Sequence, residues 1–221
     1  MPQGLMVLGD HGVVQIDENY SNLALKASGS IYVPAGATGA SVVVYGVQAP
    51  VMCVKTPEGL PVYVTSDQAV PNATYTFKAE DSATTIQWYV FDQTAPASAT
   101  SGLTVYRSDG SPAYNSDWKV MKIAAVAAVP YWSDPYVTAP TATASAPYVG
   151  SWAACLTSAR IGIDGGGGGS VSGIWADGVI TNPYGAYTSQ IRVDVIQWGG
   201  QPPEVIQPNG GVILLVDVSN S

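Results

Sequence analysis

The side chains that could perform catalysis are few in this 221-residue chain. A nucleophilic or acid–base mechanism needs several titratable groups that converge on one point. The single histidine, His11, stands in the turn-like sequence Asp10-His11-Gly12, and a second copy of this sequence has Asp109 in its place. The chain also lacks the pattern Gly-x-Ser-x-Gly, which presents a serine nucleophile on a strained turn. We therefore interpret His11 as a solvated turn residue and not as a catalytic base.

Carboxylates give no stronger chemical prediction. Asp177 with Asp194, or Glu80 with Asp81, could supply the carboxylate pair of a glycoside hydrolase. Sixteen scattered acidic residues always offer such pairs, however, so the signal is weak. Two cysteines and one histidine are too few for a zinc site. We therefore predict that the protein is not an enzyme and that it holds no metal and no cofactor.

The two cysteines, Cys53 and Cys155, stand at similar places in the two halves of the chain. If the halves form separate units, the cysteines lie in different units and do not meet. A free cysteine commonly behaves as a small buried apolar side chain. The sequence therefore predicts two buried free thiols and no disulfide between them.

Aromatic side chains in loop-like sequence are the remaining candidates for function. The segment 130–147, PYWSDPYVTAPTATASAP, contains four prolines, and a long irregular loop of this kind is usually functional or disordered. Aromatic rings on such loops can stack on a sugar or contact another protein, and packing within the protein is the alternative. The candidate contact residues of this loop and of a second loop, 182–186, are Tyr131, Trp132, Tyr136 and Tyr184.

Composition excludes several classes of function. The net charge is −8 and only 11% of the residues are charged, with no basic patch, so nucleic acid binding is not expected. No apolar run is long enough to cross a membrane, so membrane insertion is not expected either. The first residues, MPQGLMVLGD, lack the basic and apolar regions of a signal peptide. We therefore expect synthesis in the cytoplasm without a cleaved signal.

A repeated sequence organises the chain. The segment 4–25, GLMVLGDHGVVQIDENYSNLAL, aligns without a gap with the segment 102–123, GLTVYRSDGSPAYNSDWKVMKI. Apolar residues alternate at the start of each copy, a turn with Gly12 or Gly110 follows, and a second turn precedes Tyr20 or Trp118. Alternation with a glycine-containing turn is typical of a β-hairpin. Each copy is therefore predicted to be a hairpin that leads into a third strand, which the aromatic residue opens.

This repeat predicts an all-β protein of two tandem β-sandwich-like units related by internal duplication. The first unit spans residues 1–95, the linker 96–101, and the second unit 102–221 with the long loop 130–147. Abundant glycine and proline, with Val, Thr, Tyr and Trp, favour short strands over helices, and the alanine-rich segment 120–129 is predicted to be a strand because its partner in the first copy alternates.

Individual strands follow from apolar alternation and from the positions of turn residues. In the first unit we predict strands at 30–33, 41–47, 51–55, 60–65, 75–79 and 85–92, with loops at 35–39 and 67–72. The segments 51–55 and 60–65 are expected to pair as a hairpin. In the second unit, 148–154 and 156–164 are predicted strands, 174–180 is predicted to turn at Asp177-Gly178, and 190–198 is the expected counterpart of 85–92. The apolar strand 212–218 resembles a truncated third start of the repeat and is expected to pair within the second unit.

The hairpin sequence resembles that of the short minor tail proteins of tailed bacteriophages. These proteins begin with a hairpin of the form GLxVxxxxG, and residues 102–118, GLTVYRSDGSPAYNSDW, are the closer match, with residues 4–20 as a looser copy. The resemblance covers about a fifth of the chain directly. It implies a structural protein of the virion tail, and it carries over no catalytic residues.

The predicted function is therefore that of a structural virion protein of a phage tail tip, fibre or baseplate. Its expected partners are other virion tail proteins and further copies of itself in a homo-oligomer, with possible contact to a host-surface glycan or receptor. A carbohydrate-binding β-sandwich module or adhesin, in which the loop aromatics hold sugar, is one alternative. A capsid decoration protein is the second alternative.

Overall fold

The computed structural model describes residues 7–8, 14–16, 22–93, 102–134, 137–163, 171–197 and 204–219. Within these ranges the chain forms strands and turns and no helix, so the all-β prediction is confirmed. The segment 120–129 is a strand at its centre, as predicted. In chain order the strands are β1 (Val7–Leu8), β2 (Val14–Ile16), β3 (Ala24–Val33), β4 (Gly36–Tyr45), β5 (Val51–Lys55), β6 (Tyr63–Ala69), β7 (Asn72–Ala79), β8 (Thr84–Asp92), β9 (Thr104–Tyr106), β10 (Pro112–Asn115), β11 (Ile123–Ala128), β12 (Thr143–Ser145), β13 (Trp152–Leu156), β14 (Ile161–Ile163), β15 (Val171–Asn182), β16 (Gly185–Gln197), β17 (Glu204–Gln207) and β18 (Val212–Asp217).

Both predicted hairpins are present. Strands β1 and β2 pair antiparallel, and so do β9 and β10. In the second hairpin, Gly110 has a φ of 83° and Asp109 Oδ1 accepts a hydrogen bond of 2.8 Å from the Ser111 amide, which closes the turn. The turn that contains His11 lies outside the described residues. The third strand of the second copy begins at Ile123 and not at the aromatic residue, because Trp118 lies in a turn.

A six-stranded antiparallel sheet joins the two halves of the chain. Its order is β11-β18-β13-β5-β8-β3, so three strands come from each half and meet where β5 pairs with β13. The two outer strands approach each other at one end, where Ala24 and Val120 form a bridge and the Leu25 amide donates to the Lys119 carbonyl at 2.8 Å. This central sheet therefore curls until its edges meet.

Near the end where its edges meet, the curled sheet is buried on both faces. On β8, Ile86 and Val90 belong to one apolar cluster, whereas Tyr89 and Phe91 belong to the other. Cys53 lies in the second cluster, which fills the concave side near the closed end. Burial on both faces accounts for the aromatic content of these strands.

Two further sheets pack on the first face and give a sandwich-like arrangement. Their orders are β4-β7-β6 and β12-β16-β15-β14-β17. The order β3-β8-β5 in the first half matches β11-β18-β13 in the second, and β4-β7-β6 matches β12-β16-β15. This agreement supports the internal duplication, which remains a prediction. In the matched order β18 is the counterpart of β8, so the segment 190–198 is not. The strand 212–218 pairs within the sheet, as predicted, but it closes the second half and does not begin a third repeat.

Three predicted loops or turns are strands in the structure. The segment 35–39 belongs to β4, where the ladder shifts register between Gly36 and Ala40 and glycines at positive φ make an irregular strand. The segment 67–72 is the end of β6, a tight turn at Val70-Pro71 and the start of β7. Strand β15 continues through Asp177-Gly178. A glycine is needed there, because Gly178 lies against the Val62 backbone and a Cβ would be 3.3 Å from the backbone nitrogen of Val62.

The predicted hairpin between 51–55 and 60–65 is also wrong. Strand β5 pairs instead with β8 and β13, and β6 pairs with β7. The predicted strand 148–154 begins later, at Trp152, and in the described part of the segment 156–164, Leu156 ends β13 and Ile161–Ile163 form β14. The pairing errors have one cause: alternation shows which residues face the core, but not which strand lies alongside.

Candidate contact surface

The long loop 130–147 is held by one buried arginine. Arg160 and Asp177 are both 1% exposed, and Arg160 Nε lies 2.7 Å from Asp177 Oδ2. A second guanidinium nitrogen, Nη2, donates to Asp177 Oδ1 at 2.8 Å, so the pair is bidentate. The same guanidinium donates to the carbonyls of Pro130 at 2.9 Å and Pro140 at 2.8 Å. The loop is therefore fixed at two points to this guanidinium.

Trp132 is part of this anchoring and not of the outer surface. Its side chain is 7% exposed, and its Nε1 donates to the Val137 carbonyl at 2.8 Å. Its backbone amide donates to the Pro208 carbonyl at 3.0 Å. Neighbouring Tyr131 is 62% exposed. Tyr136 lies outside the described residues. Of the three aromatic candidates in this loop, Trp132 thus packs inward and Tyr131 faces solvent.

The loop runs along β16 and separates Tyr131 from Tyr184. The Ala139 amide donates to Gln190 Oε1 at 3.1 Å, and further along β12 pairs with β16 until Ser145 lies opposite Gly185. Tyr131 precedes this run and Tyr184 follows its far end. The structure therefore does not bring Tyr131 and Tyr184 together on one surface.

Tyr184 lies instead beside two exposed residues, Tyr148 and Val149, whose sequence predicts a strand. We call Tyr148, Val149 and Tyr184 the turn patch. The Ala146 amide donates to the Tyr184 carbonyl at 2.8 Å, and the Gly150 amide donates to the Pro183 carbonyl at 3.1 Å. These bonds align the segment 146–150 with the turn between β15 and β16. Tyr184 is 70% exposed and Val149 67%, so the patch presents apolar groups to solvent.

The turn patch has a rigid base. The rings of Tyr148 and Trp152 are 5.0 Å apart between centroids, and Trp152 Nε1 donates to the Pro183 carbonyl at 3.1 Å. The Tyr148 hydroxyl donates to Asp217 Oδ2 at 2.9 Å, and this bond, followed by desolvation, raises the pKa of Tyr148. Trp152 is fully buried. The exposed rings therefore stand on fixed backbone, which limits the entropy lost when a partner binds.

The first half carries a similar exposed turn. Tyr45 is exposed at the end of β4, and Val70 is exposed in the turn between β6 and β7. The Val47 amide donates to the Pro71 carbonyl at 2.9 Å, the equivalent of the bond from Ala146 to Tyr184. Asp92 ends β8, as Asp217 ends β18 in the second half. Asp92 Oδ1 accepts a hydrogen bond of 2.8 Å from the Ala49 amide. We call Tyr45 and Val70 the first-half patch.

One carboxylate of each candidate pair, Asp177 or Glu80, lies in an ion pair. Both oxygens of Asp177 accept hydrogen bonds from Arg160, so this carboxylate holds structure. Glu80 lies 3.9 Å from Arg192 Nε in a more exposed pair. Across the part of the chain that the structure describes, no cluster of three His, Cys, Asp or Glu side chains could hold a metal ion.

The cysteines are free and buried, as predicted, but they are not apart. Pairing of Val54 with Ala154 in the antiparallel ladder of β5 and β13 places Cys53 opposite Cys155. Their thiols are in hydrogen-bonding contact, which together with burial raises the pKa of Cys53 well above its usual value. The same contact lowers the pKa of Cys155, because a Cys155 thiolate would accept a hydrogen bond from the Cys53 thiol. The expectation that the cysteines lie in separate units fails because the two halves share a sheet.

No helix among the described residues is long and apolar enough to span a membrane. No family model matches the chain, and no curated protein and no solved structure is significantly similar to it.

Proposed function

We propose that the protein is a structural component of a phage virion, at a tail tip, fibre or baseplate. The observation that carries the proposal is the pair of exposed apolar turns, one in each half of the chain. Tyr148, Val149 and Tyr184 form one, and Tyr45 and Val70 form the other. An assembly protein needs such surfaces, because exposed apolar groups that lie together commonly mark contacts between proteins.

The sequence supports the same proposal. The hairpin of β9 and β10, which resembles that of minor tail proteins, is formed in the structure, with Ser116 Oγ accepting the Leu103 amide at 3.0 Å. Two of the carboxylates that could form a catalytic pair, Asp177 and Glu80, pair with arginines. Partners in the proposal are other tail proteins and further copies of this chain, with the turn patch as the contact surface.

The oligomeric state in solution tests this proposal. Size-exclusion chromatography with light scattering should show a symmetric oligomer, or a complex when a neighbouring tail protein is added. A double variant, Val149→Ser with Tyr184→Ser, should reduce assembly without a change in melting temperature, since both side chains are exposed. Thr143→Ser, at an exposed position on β12, is the matched control.

The same experiment separates the alternatives. A monomer that binds sugars in solution, with unchanged behaviour in the double variant, favours a carbohydrate-binding module. A protein that assembles only on preformed capsids favours a decoration protein. A monomer that binds neither protein nor sugar contradicts the proposal.

A further inference from the structure

A cavity of about 440 Å³ lies between the two halves of the protein. Strands β5 and β6 contribute one side, and β13, β15 and the segment 157–159 contribute the other. Its volume falls within the range of about 300–1,000 Å³ that is usual for small-molecule sites. The cavity opens to solvent on one side, where Ser66 and Gln68 of β6 are exposed.

One polar group at this cavity has no partner. Tyr75 lines the cavity from β7 and its side chain is 1% exposed. Its hydroxyl makes no hydrogen bond with the described residues. Buried hydroxyls nearly always have a partner, so the Tyr75 hydroxyl can donate to a group that enters the cavity. Burial, followed by the nearby charge of Asp92, raises the pKa of Tyr75 to about 12, so the hydroxyl keeps its proton and acts as a donor near neutral pH.

The remaining lining carries no available charge. Asp177 is the charged residue at the wall, and Arg160 occupies both of its oxygens. Neutral polar side chains stand among aliphatic ones, and the Gln207 amide already donates to Ser158 Oγ at 2.6 Å. The neutral polar side chains at the wall are Thr65, Ser66, Gln68, Thr157, Ser158 and Gln207. A charged ligand would lose its hydration without gaining a counter-ion here.

We propose that this cavity binds a neutral ligand rich in hydroxyl groups, of the chemical class of a sugar, which accepts a hydrogen bond from the Tyr75 hydroxyl. The alternation of aliphatic and hydroxyl or amide groups on the wall matches the apolar faces and polar edges of a sugar ring. The site is distinct from the turn patch, and it does not depend on the role of the protein in a virion.

Binding of a panel of neutral mono- and disaccharides, measured by ligand-observed NMR and by thermal shift, tests the proposal. Tyr75→Phe removes the hydroxyl and keeps the ring, so it should weaken binding by about three- to tenfold. It should also leave the melting temperature of the free protein unchanged or higher, because a buried unsatisfied group is removed. Tyr32→Phe, at an exposed tyrosine that does not line the cavity, is the matched control and should bind as the wild type does.

A second variant keeps the test decisive. Ser66 lies on β6 at the wall of the cavity and its residue is exposed, so Ser66→Phe should fill the space without disturbing the core. We expect it to abolish binding, and we expect a sugar phosphate to bind more weakly than its neutral parent. If none of the panel binds at about 10 mM, or if Tyr75→Phe binds as tightly as the wild type, the cavity is a packing defect and the proposal is wrong.

Discussion

The ion pair between Arg160 and Asp177 should contribute more to stability than any exposed charge in this protein. Both side chains are 1% exposed, so replacement of Arg160 by methionine would leave the Asp177 carboxylate buried without its counter-ion. Loss of one partner of a buried pair costs about 3–5 kcal/mol of unfolding free energy. The carbonyls of Pro130 and Pro140 would also lose their donor, but the loop can relax, so we take the range for the pair as the expected loss.

Urea denaturation of Arg160→Met measures this loss directly. For a chain of this length, each kcal/mol lowers the melting temperature by about 2–4 °C, so the shift should be about 6–20 °C. Addition of Asp177→Asn should recover part of the stability, because asparagine removes the charge and keeps an oxygen for the Arg160 amide, which Asp177 Oδ2 accepts at 2.9 Å. Chymotrypsin, which cuts after aromatic residues, should cleave at Tyr131 faster in Arg160→Met.

Arg192→Met is the matched control. Its guanidinium pairs with Glu80 at 3.9 Å and is 51% exposed, so its loss should change stability by less than about 1 kcal/mol. Arg160→Lys tests geometry, because lysine keeps the charge but cannot reach four acceptors in a fork. If Arg160→Met loses no more stability than Arg192→Met and the loop resists chymotrypsin, Arg160 does not hold the loop.

Three other changes have defined outcomes. Removal of residues 209–221 deletes β18, which lies between β11 and β13 in the central sheet, so the truncated chain should be insoluble. A soluble truncated chain with native circular dichroism would contradict the strand order. Oxidation with glutathione disulfide should join Cys53 to Cys155, with each thiol losing one hydrogen as glutathione is reduced. Mass spectrometry should show the cross-linked peptides, and the free energy of unfolding should rise by roughly 3–5 kcal/mol. If no cross-link forms even when the protein is partly unfolded during oxidation, the register of β5 and β13 is contradicted. Hydrogen bonds from Ser219 lower the pKa of Asp217, so the stability that the Asp217 carboxylate contributes is present above the ordinary pKa of 3.8 and is lost at more acidic pH. On acid titration, Asp217→Asn should therefore lose less stability below that pH than the wild type does. Identical curves for the two proteins would contradict this contribution.

Local sequence patterns were sufficient to predict many strands. Alternation around a glycine turn predicted both hairpins, and apolar and aromatic residues predicted the strand 85–92, which is β8. The repeated segment at 4–25 and 102–123 predicted two similar halves, and the matching strand orders agree with it. These features depend on residues close together in the chain, which is why one sequence reveals them.

The contacts between the halves could not be predicted in the same way. No sequence feature within 51–55 or 152–156 shows that β5 and β13 lie side by side. Without that pairing, the sequence predicts that Cys53 and Cys155 belong to separate units. Asp177 was interpreted as a turn residue because Asp-Gly usually is one. A charged residue inside the apolar segment 174–180 was the available signal, since a chain with eight Lys and Arg in total seldom places charge in a strand core without a partner.

The turn patch was missed for a related reason. Tyr148 and Val149 precede an apolar strand, and their sequence is indistinguishable from the start of that strand. Only the hydrogen bonds from Ala146 and Gly150 to the turn at Pro183 and Tyr184 show that this segment is surface. Trp132 was misplaced in the opposite direction, because two neighbouring prolines suggested an exposed loop, whereas Arg160 and Pro208 hold that loop against the protein.

Peptide mass spectrometry of purified virions from a host that produces this protein tests the central proposal most directly. We expect peptides of this chain in the particles at a ratio to the major tail protein that stays constant through a density gradient, and we expect them in tail fractions after the tails are separated from the heads. Presence in the lysate with absence from the purified particles would contradict a structural role in the virion, and enrichment in the head fraction would contradict its place in the tail.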